Sequence, residues 1–240
     1  MRMTPRNVDN VNTMVTPKPD RTYHHGDLRN ALIDAGMAAL AQQDASALSL
    51  RALARELGVS ANAAYRHFAD KDALLSALAT EGFRRFTAEQ AATGPAPEGP
   101  ACHATDALAS GLRYVHFAQR HPGLFRLMFG RFLQGSQDPT LQAAAMAAFG
   151  QLLAQSRPEG ARLDPPDEAT LMRALARWSL VHGLSHLVLE GQLGLFGAQP
   201  DALVQAVLTA SGLAAPPAAA QAPGMSAGKP PGKPPRKVTS

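Results

Sequence analysis

Alanine outnumbers isoleucine by 46 to one in this chain of 240 residues, and that ratio restricts the fold more than any other feature. Alanine is the strongest helix former, whereas β-branched residues such as the lone Ile33 favour strands, so an all-α fold is expected. A composition that is 45% hydrophobic and 18% charged belongs to a folded globular chain, long enough to bury a sizeable core. The single cysteine, Cys102, excludes a disulfide scaffold and a cysteine-based zinc cluster. No apolar run approaches the ~18 residues of a membrane span, and the N-terminus carries charge without an apolar h-region. No membrane association is expected, and a reducing cytoplasmic location is.

The net charge of +4 invites a nucleic-acid reading, but it sits at the ends. Residues 1–21 carry +2 and residues 213–240 carry +4, while 22–90 and 91–212 each carry −1. Residues 1–21 lack periodicity and hold Pro5, Pro17 and Pro19, which reads as a disordered arm. The Ala/Pro/Gly/Lys-rich stretch 213–240 cannot build a core and reads as a flexible basic tail. Between them, the run from Gly94 to Pro100 breaks any helix. This leaves a small N-terminal helical unit, 22–92, and a larger one, 101–212.

Apolar spacing places a first helix over about 26–42, a second over 50–57 capped by Ser49, and a third over 61–68 capped by Ser60. A fourth follows Asp70. The larger unit reads as helices near 102–120, 122–132, 139–156, 165–190 and 199–212. The one from Pro165 has Asp164 as its expected cap and Asp167 and Glu168 near the positive end of its dipole.

The second helix, the short turn Gly58-Val59-Ser60 and the third helix have the dimensions of a helix-turn-helix. Gly58 suits a left-handed helix terminus, and Ala64 and Phe68 face inward four residues apart. Asn62, Tyr65 and Arg66 form the opposite stripe. Asn and Arg can contact base edges bidentately in a major groove, and Tyr can reach phosphate or a thymine methyl. The free amides behind Ser49 and Ser60 are natural phosphate sites. The bland alternative is an ordinary helical corner.

The strings Tyr23-His24-His25-Gly26-Asp27-Leu28-Arg29, Leu48 through Ser60, and Ala64-Tyr65-Arg66-His67-Phe68 through Leu75 closely resemble the tetracycline-repressor (TetR/AcrR) family over residues 22–86. The resemblance implies a DNA-binding headpiece joined to a larger helical domain that binds an effector and dimerises. It implies DNA contacts from Ser60, Asn62, Ala63, Tyr65, Arg66, His67 and Lys71, with Ser49 and Arg51 on phosphates. Ala61 departs from the lysine common after the cap, which removes one phosphate contact. In the larger unit, Trp178-Ser179-Leu180-Val181-His182-Gly183, preceded by His121 through Phe129, resembles the Trp…His-Gly subfamily of TetR C-terminal domains. The function these features imply is a ligand-responsive repressor acting as a homodimer on a near-palindromic double-stranded operator. The alternative is a sensor or interaction module of the same fold that does not bind specific DNA.

Trp178 and His182 share a helix face, and the two readings are a core stripe or the wall of a small, mostly apolar effector site. Phe117, Phe125, Met128 and Phe129 are expected in the core with some facing the cavity. Phe149 belongs with them. His182 and His186 have the i, i+4 spacing of two metal ligands, but Cys102, His103 and His116 supply no frame for a third, and no metal or other cofactor is expected. Gly224-Met225-Ser226-Ala227-Gly228 matches a nucleophile-elbow pattern in a Pro-rich tail with no histidine after Ser226, and is a chance match. No catalytic residue is expected.

Overall fold

The computed structural model describes residues 28–91, 100–130, 132, 135–157, 165–197 and 199–212. The arm, the basic tail with Ser226, the residues His24 and His25, and the break at 94–99 lie outside them. The described residues are helical, and none forms a strand. The order is α1 (Leu28–Leu40), α2 (Leu50–Glu56), α3 (Ala61–Tyr65), α4 (Lys71–Ala91), α5 (Pro100–Arg120), α6 (Pro122–Phe129), α7 (Pro139–Ser156), α8 (Glu168–Leu189) and α9 (Pro200–Ala210). Two 3-10 turns that periodicity did not predict, Ala45–Ala47 and Gln192–Phe196, join α1 to α2 and α8 to α9.

The first three helices form the headpiece, and α4 runs from it into the body. Leu32, Ala64, Leu74 and Leu78 are fully buried there, with Leu28, Leu50, Leu53 and Phe68 around them. The same α4 packs on α5, α6 and α7, so one helix serves both cores. In the body α5, α7, α8 and α9 pack together, and α6 lies between body and headpiece against both α1 and α4.

Three helix boundaries differ from those expected by three residues. Helix α8 begins at Glu168, not Pro165, because Asp167 is its cap and accepts from the Thr170 amide at 2.6 Å. Two successive prolines at 165 and 166 explain the shift: neither offers an N–H, and the residue before a proline avoids the helical region. That amide bond also holds the exposed Asp167 carboxyl below its ordinary pKa. Helix α6 stops at Phe129, three residues early, where Gly130 turns extended (ψ −176°). Helix α3 stops at Tyr65 and is continued by a tight turn in which the His67 and Phe68 amides both reach the Ala64 carbonyl. No helix among the described residues is long and apolar enough to cross a membrane.

Candidate nucleic-acid interface and effector cavity

The helix-turn-helix is fixed by local chemistry. Ser49 caps α2, its hydroxyl accepting from the Ala52 amide at 3.4 Å. Gly58 sits at φ 72°, and the Gly58 and Val59 amides return to the Arg55 and Ala54 carbonyls at 3.1 and 2.9 Å. This is a Schellman terminus, which needs a left-handed residue at that place. Ser60 then caps α3 by accepting from the Ala63 amide at 3.2 Å.

Asn62, Tyr65 and Arg66 are exposed on one side, while Ala64 and Phe68 are buried on the other. Tyr65 leaves 39% of its surface to solvent, unusual for a ring of its size. Ser49, Arg51 and Ser60 are exposed beside this stripe, and Ala63 and His67 are half-buried at its edge. Lys71, at the start of α4, turns its ammonium to the Ser46 carbonyl at 2.6 Å, tying α4 to the loop before α2 and leaving two N–H donors outward. The guanidinium of Arg29 lies 5.3 Å from the Phe68 ring centroid and covers it, a contact the sequence did not reveal.

The body holds a half-open cavity of about 620 Å³. Its walls come from α4 (Phe83, Phe86, Gln90), α5 (Ser110, Gly111, Tyr114), Phe129 at the end of α6, α7 (Ala145, Ala148, Phe149, Gln155) and α8 (Arg177, Trp178, His182). Small residues at Ala107, Ala145 and Ala148 leave the space that larger side chains would fill, whereas Gly111 lets α5 approach Leu208 of α9 closely. Of the six residues expected at an effector site, Phe129, Trp178 and His182 line it. Phe117, Phe125 and Met128 are fully buried and do not, because the α6 turn that carries Phe125 and Met128 packs toward α4 and α8 rather than into the hollow. Helical spacing alone does not distinguish a core face from a cavity wall.

Sequence reasoning missed Tyr114, the residue that organises the Trp178–His182 wall. The indole Nε1–H of Trp178 donates to the Tyr114 hydroxyl at 3.1 Å, and that oxygen lies 2.9 Å from Nδ1 of His182. An indole can only donate, so the tyrosine oxygen accepts there, and giving its own proton to Nδ1 is the arrangement in which indole, hydroxyl and Nδ1 are all paired. His182 therefore carries its proton on Nε2, 3.2 Å from Nε2 of His186. The result is a directed chain, Trp178 to Tyr114 to His182 to His186. Burial pushes the Tyr114 hydroxyl well above its ordinary pKa and keeps it a neutral donor. Burial, then the neighbouring His186, lowers the pKa of His182, favouring its neutral form. The two histidines thus meet through a hydrogen bond, and no group of three His, Cys, Asp or Glu among the described residues is placed to hold a metal.

A second polar corner joins Gln90, Ser110, Gln155 and Arg177. The network orients the Gln90 amide with its nitrogen 3.0 Å from Ser110 Oγ and its oxygen accepting from the Tyr114 amide. Ser110 Oγ donates to Gln155 Oε1 at 3.1 Å, and Arg177 donates to the Gln155 carbonyl at 2.7 Å.

The description "Bacterial regulatory proteins, tetR family" matches residues 32–78, and "Tetracyclin repressor-like, C-terminal domain" matches 107–211. Among solved structures, a protein of unknown function from Rhodococcus sp. RHA1 is 32% identical, covering 80% of this chain and 96% of that one at a TM-score of 0.65. A TetR transcriptional regulator from the same organism is 14% identical, covering 78% and 97% at 0.53. A TetR variant from Acinetobacter baumannii AYE, solved with minocycline, is 20% identical, covering 77% and 93% at 0.51. Among curated proteins, no sequence matches significantly. With its headpiece and its body both matched, the chain belongs to the TetR family of DNA-binding transcriptional regulators, which are not enzymes.

Proposed function

We propose that the protein is a ligand-responsive repressor that acts as a homodimer on a near-palindromic operator. The observation that carries this reading is the exposed stripe of Asn62, Tyr65 and Arg66, set on a helix whose opposite side is buried. Arg66 and Asn62 read base edges, Tyr65, His67, Ala63 and Lys71 contact the adjoining backbone or bases, and Ser49, Arg51 and Ser60 hold phosphates. Two such headpieces enter major grooves about one helical turn apart, ~34–36 Å or a multiple of it.

Dimerisation is supported by the outer face of α8. Ala169, Met172, Ala176, Ser179, Gly183 and Leu187 are exposed at spacings of three or four, a stripe of small and apolar residues suited to close helix contact. Exposed Ala206, Val207 and Ala210 on α9 extend it.

Helix α6 supports the ligand response. Its last residue, Phe129, forms part of the cavity wall, and its N-terminal Gly123 lies so near α1 that a Cβ there would collide with the Leu40 and Gln43 carbonyls. Arg126, between them, bonds Asp44 of the headpiece and Glu190 of the body, each at 3.3 Å. Those ion pairs are exposed and contribute little. The Gly123 contact is the stiffer link, so an effector that displaces Phe129 tilts the headpieces out of register and favours release from DNA.

Selection from a random duplex library tests the reading. A single preferred near-palindrome is expected, and Arg66→Ala should weaken binding to it by about 10- to 100-fold, as loss of a bidentate base contact does. Sequence-blind binding, or an unchanged mutant, would remove helix α3 as the reading element.

A further inference from the structure

The two polar corners of the cavity differ in what they still have to give. From Trp178 through Tyr114 to His182 each donor already meets an acceptor, so that wall offers a ligand chiefly ring faces. The corner of Gln90, Ser110, Gln155 and Arg177 is different. Arg177 has five N–H donors, and one of them is committed, to the Gln155 carbonyl at 2.7 Å. No carboxylate lies among the described residues that line the cavity, and Arg177 is the one permanently charged side chain there. Arg173, one turn earlier on α8, donates to the Ser156 carbonyl at 3.1 Å, and its Nη2 is buried without a hydrogen-bond partner. Like charges at i, i+4 repel, and burial adds to the cost of holding Arg177 charged.

Part of this has a purely structural use. Gln155 and Ser156 are the last residues of α7, and the two arginines satisfy carbonyls at its negative end. That capping role uses one nitrogen of each guanidinium. It leaves the cavity side of Arg177 with spare donors, positive potential and no anion.

We propose that the effector is an amphipathic organic acid, an apolar aromatic or aliphatic body packed among Phe86, Phe129, Phe149 and Trp178, with its carboxylate on Arg177 and the amide of Gln155. This rests on the reading of the cavity as the effector site and adds the ligand's charge class. A planar guanidinium matches a carboxylate with two parallel hydrogen bonds, and a cationic ligand would meet only like charge at this corner.

Trp178, the one tryptophan of the chain, lines the cavity and reports on it directly. The full-length protein is titrated with a matched series of phenylalkanoic acids, their primary amides and the corresponding amines, following tryptophan fluorescence. The acids are expected to bind about tenfold or more tighter than the amides, as charge-assisted bonds do, with the amines weakest. Arg177→Gln should erase the acid–amide difference, and Arg177→Lys should keep part of it. Equal affinity for acids and amides, or an acid preference that survives Arg177→Gln, would overturn the charge assignment and leave the cavity as a neutral effector site. Tighter binding of the amines would overturn it too. A fluorescence signal unmoved by all three sets would overturn both this inference and the effector reading.

Discussion

The headpiece and the body use the same helical repertoire toward opposite ends. The headpiece core is aliphatic but for Phe68, and closed: Leu32, Ala64, Leu74 and Leu78 leave no surface to solvent, and the chemically distinctive side chains Asn62, Tyr65 and Arg66 stand outside. The body puts its distinctive side chains inside. Rings from four helices meet edge to face around a hollow, as in Phe86–Tyr114 at 5.1 Å and Phe83–Phe129 at 5.5 Å. Alanine explains both. In α3 a buried Ala64 lets that helix sit close on its neighbours, whereas in α7 Ala145 and Ala148 line the hollow and leave it open.

The sharpest way to break this contrast is the same substitution in each region. Ala64→Leu forces three carbons into a closed core and should cost about 1–3 kcal/mol or more. Ala148→Leu projects them into the hollow and should be neutral or stabilising by about 0.5–1 kcal/mol. Urea midpoints of the two variants decide it. If both lose stability alike, the body is as tightly packed as the headpiece and the cavity is not open in solution.

A smaller effect probes the turn that displays the outward stripe. No atom lies within 4 Å of a Cβ added at Gly58, so space is not the obstacle there; the backbone at φ 72° is. Gly58→Ala should therefore cost about 1–2 kcal/mol through the left-handed conformation alone. It should also loosen operator binding more than its stability loss explains, since the turn sets the angle of α3. A change in thermal midpoint without any change in DNA affinity would detach the turn's geometry from its proposed role.

How much of each region was legible in the sequence follows from the same contrast. The headpiece is local: caps at Ser49 and Ser60, Gly58 between them, and an inward pair four residues apart lie within twenty residues, and each is a short-range signal. The body's site is assembled from five helices. Trp178 and His182 were visible as one helical face, but their partner Tyr114 sits 64 residues away from Trp178 and has no sequence mark of its own. The signal that was available lay in small residues: Ala145 and Ala148 on α7 predict missing volume once that helix is known to face the rings of the body. Phe117, Phe125 and Met128 went the other way, because ring size and spacing describe packed walls and open walls alike. Charge misled in neither direction. The described core is close to neutral, so placement of single arginines, Arg66 outward and Arg177 inward, carries what bulk charge cannot.

The smallest predicted effect concerns the inward wiring. In the native state His182 receives the Tyr114 proton on Nδ1 and is kept neutral by burial and by His186, so its pKa lies below that of an unfolded histidine. His121, half-buried against Phe117, is lowered in the same direction, chiefly by burial, with Glu89 opposing. For both, the unfolded chain takes up protons first as pH falls through about 6.5. The unfolded state then binds more protons than the native one, so stability declines as pH drops below about 6.5 and levels off only beneath the native pKa values. His182→Asn separates the two contributions: its side-chain oxygen can still accept from Tyr114, but it does not titrate. The slope of stability against pH, from urea midpoints between about pH 5 and pH 8, should be shallower in this variant and keep the remainder due to His121. A slope identical to the parent would mean that His182 is protonated as easily in the fold as outside it, and that the Trp178–Tyr114–His182 wall is wetter and less fixed than its hydrogen bonds imply.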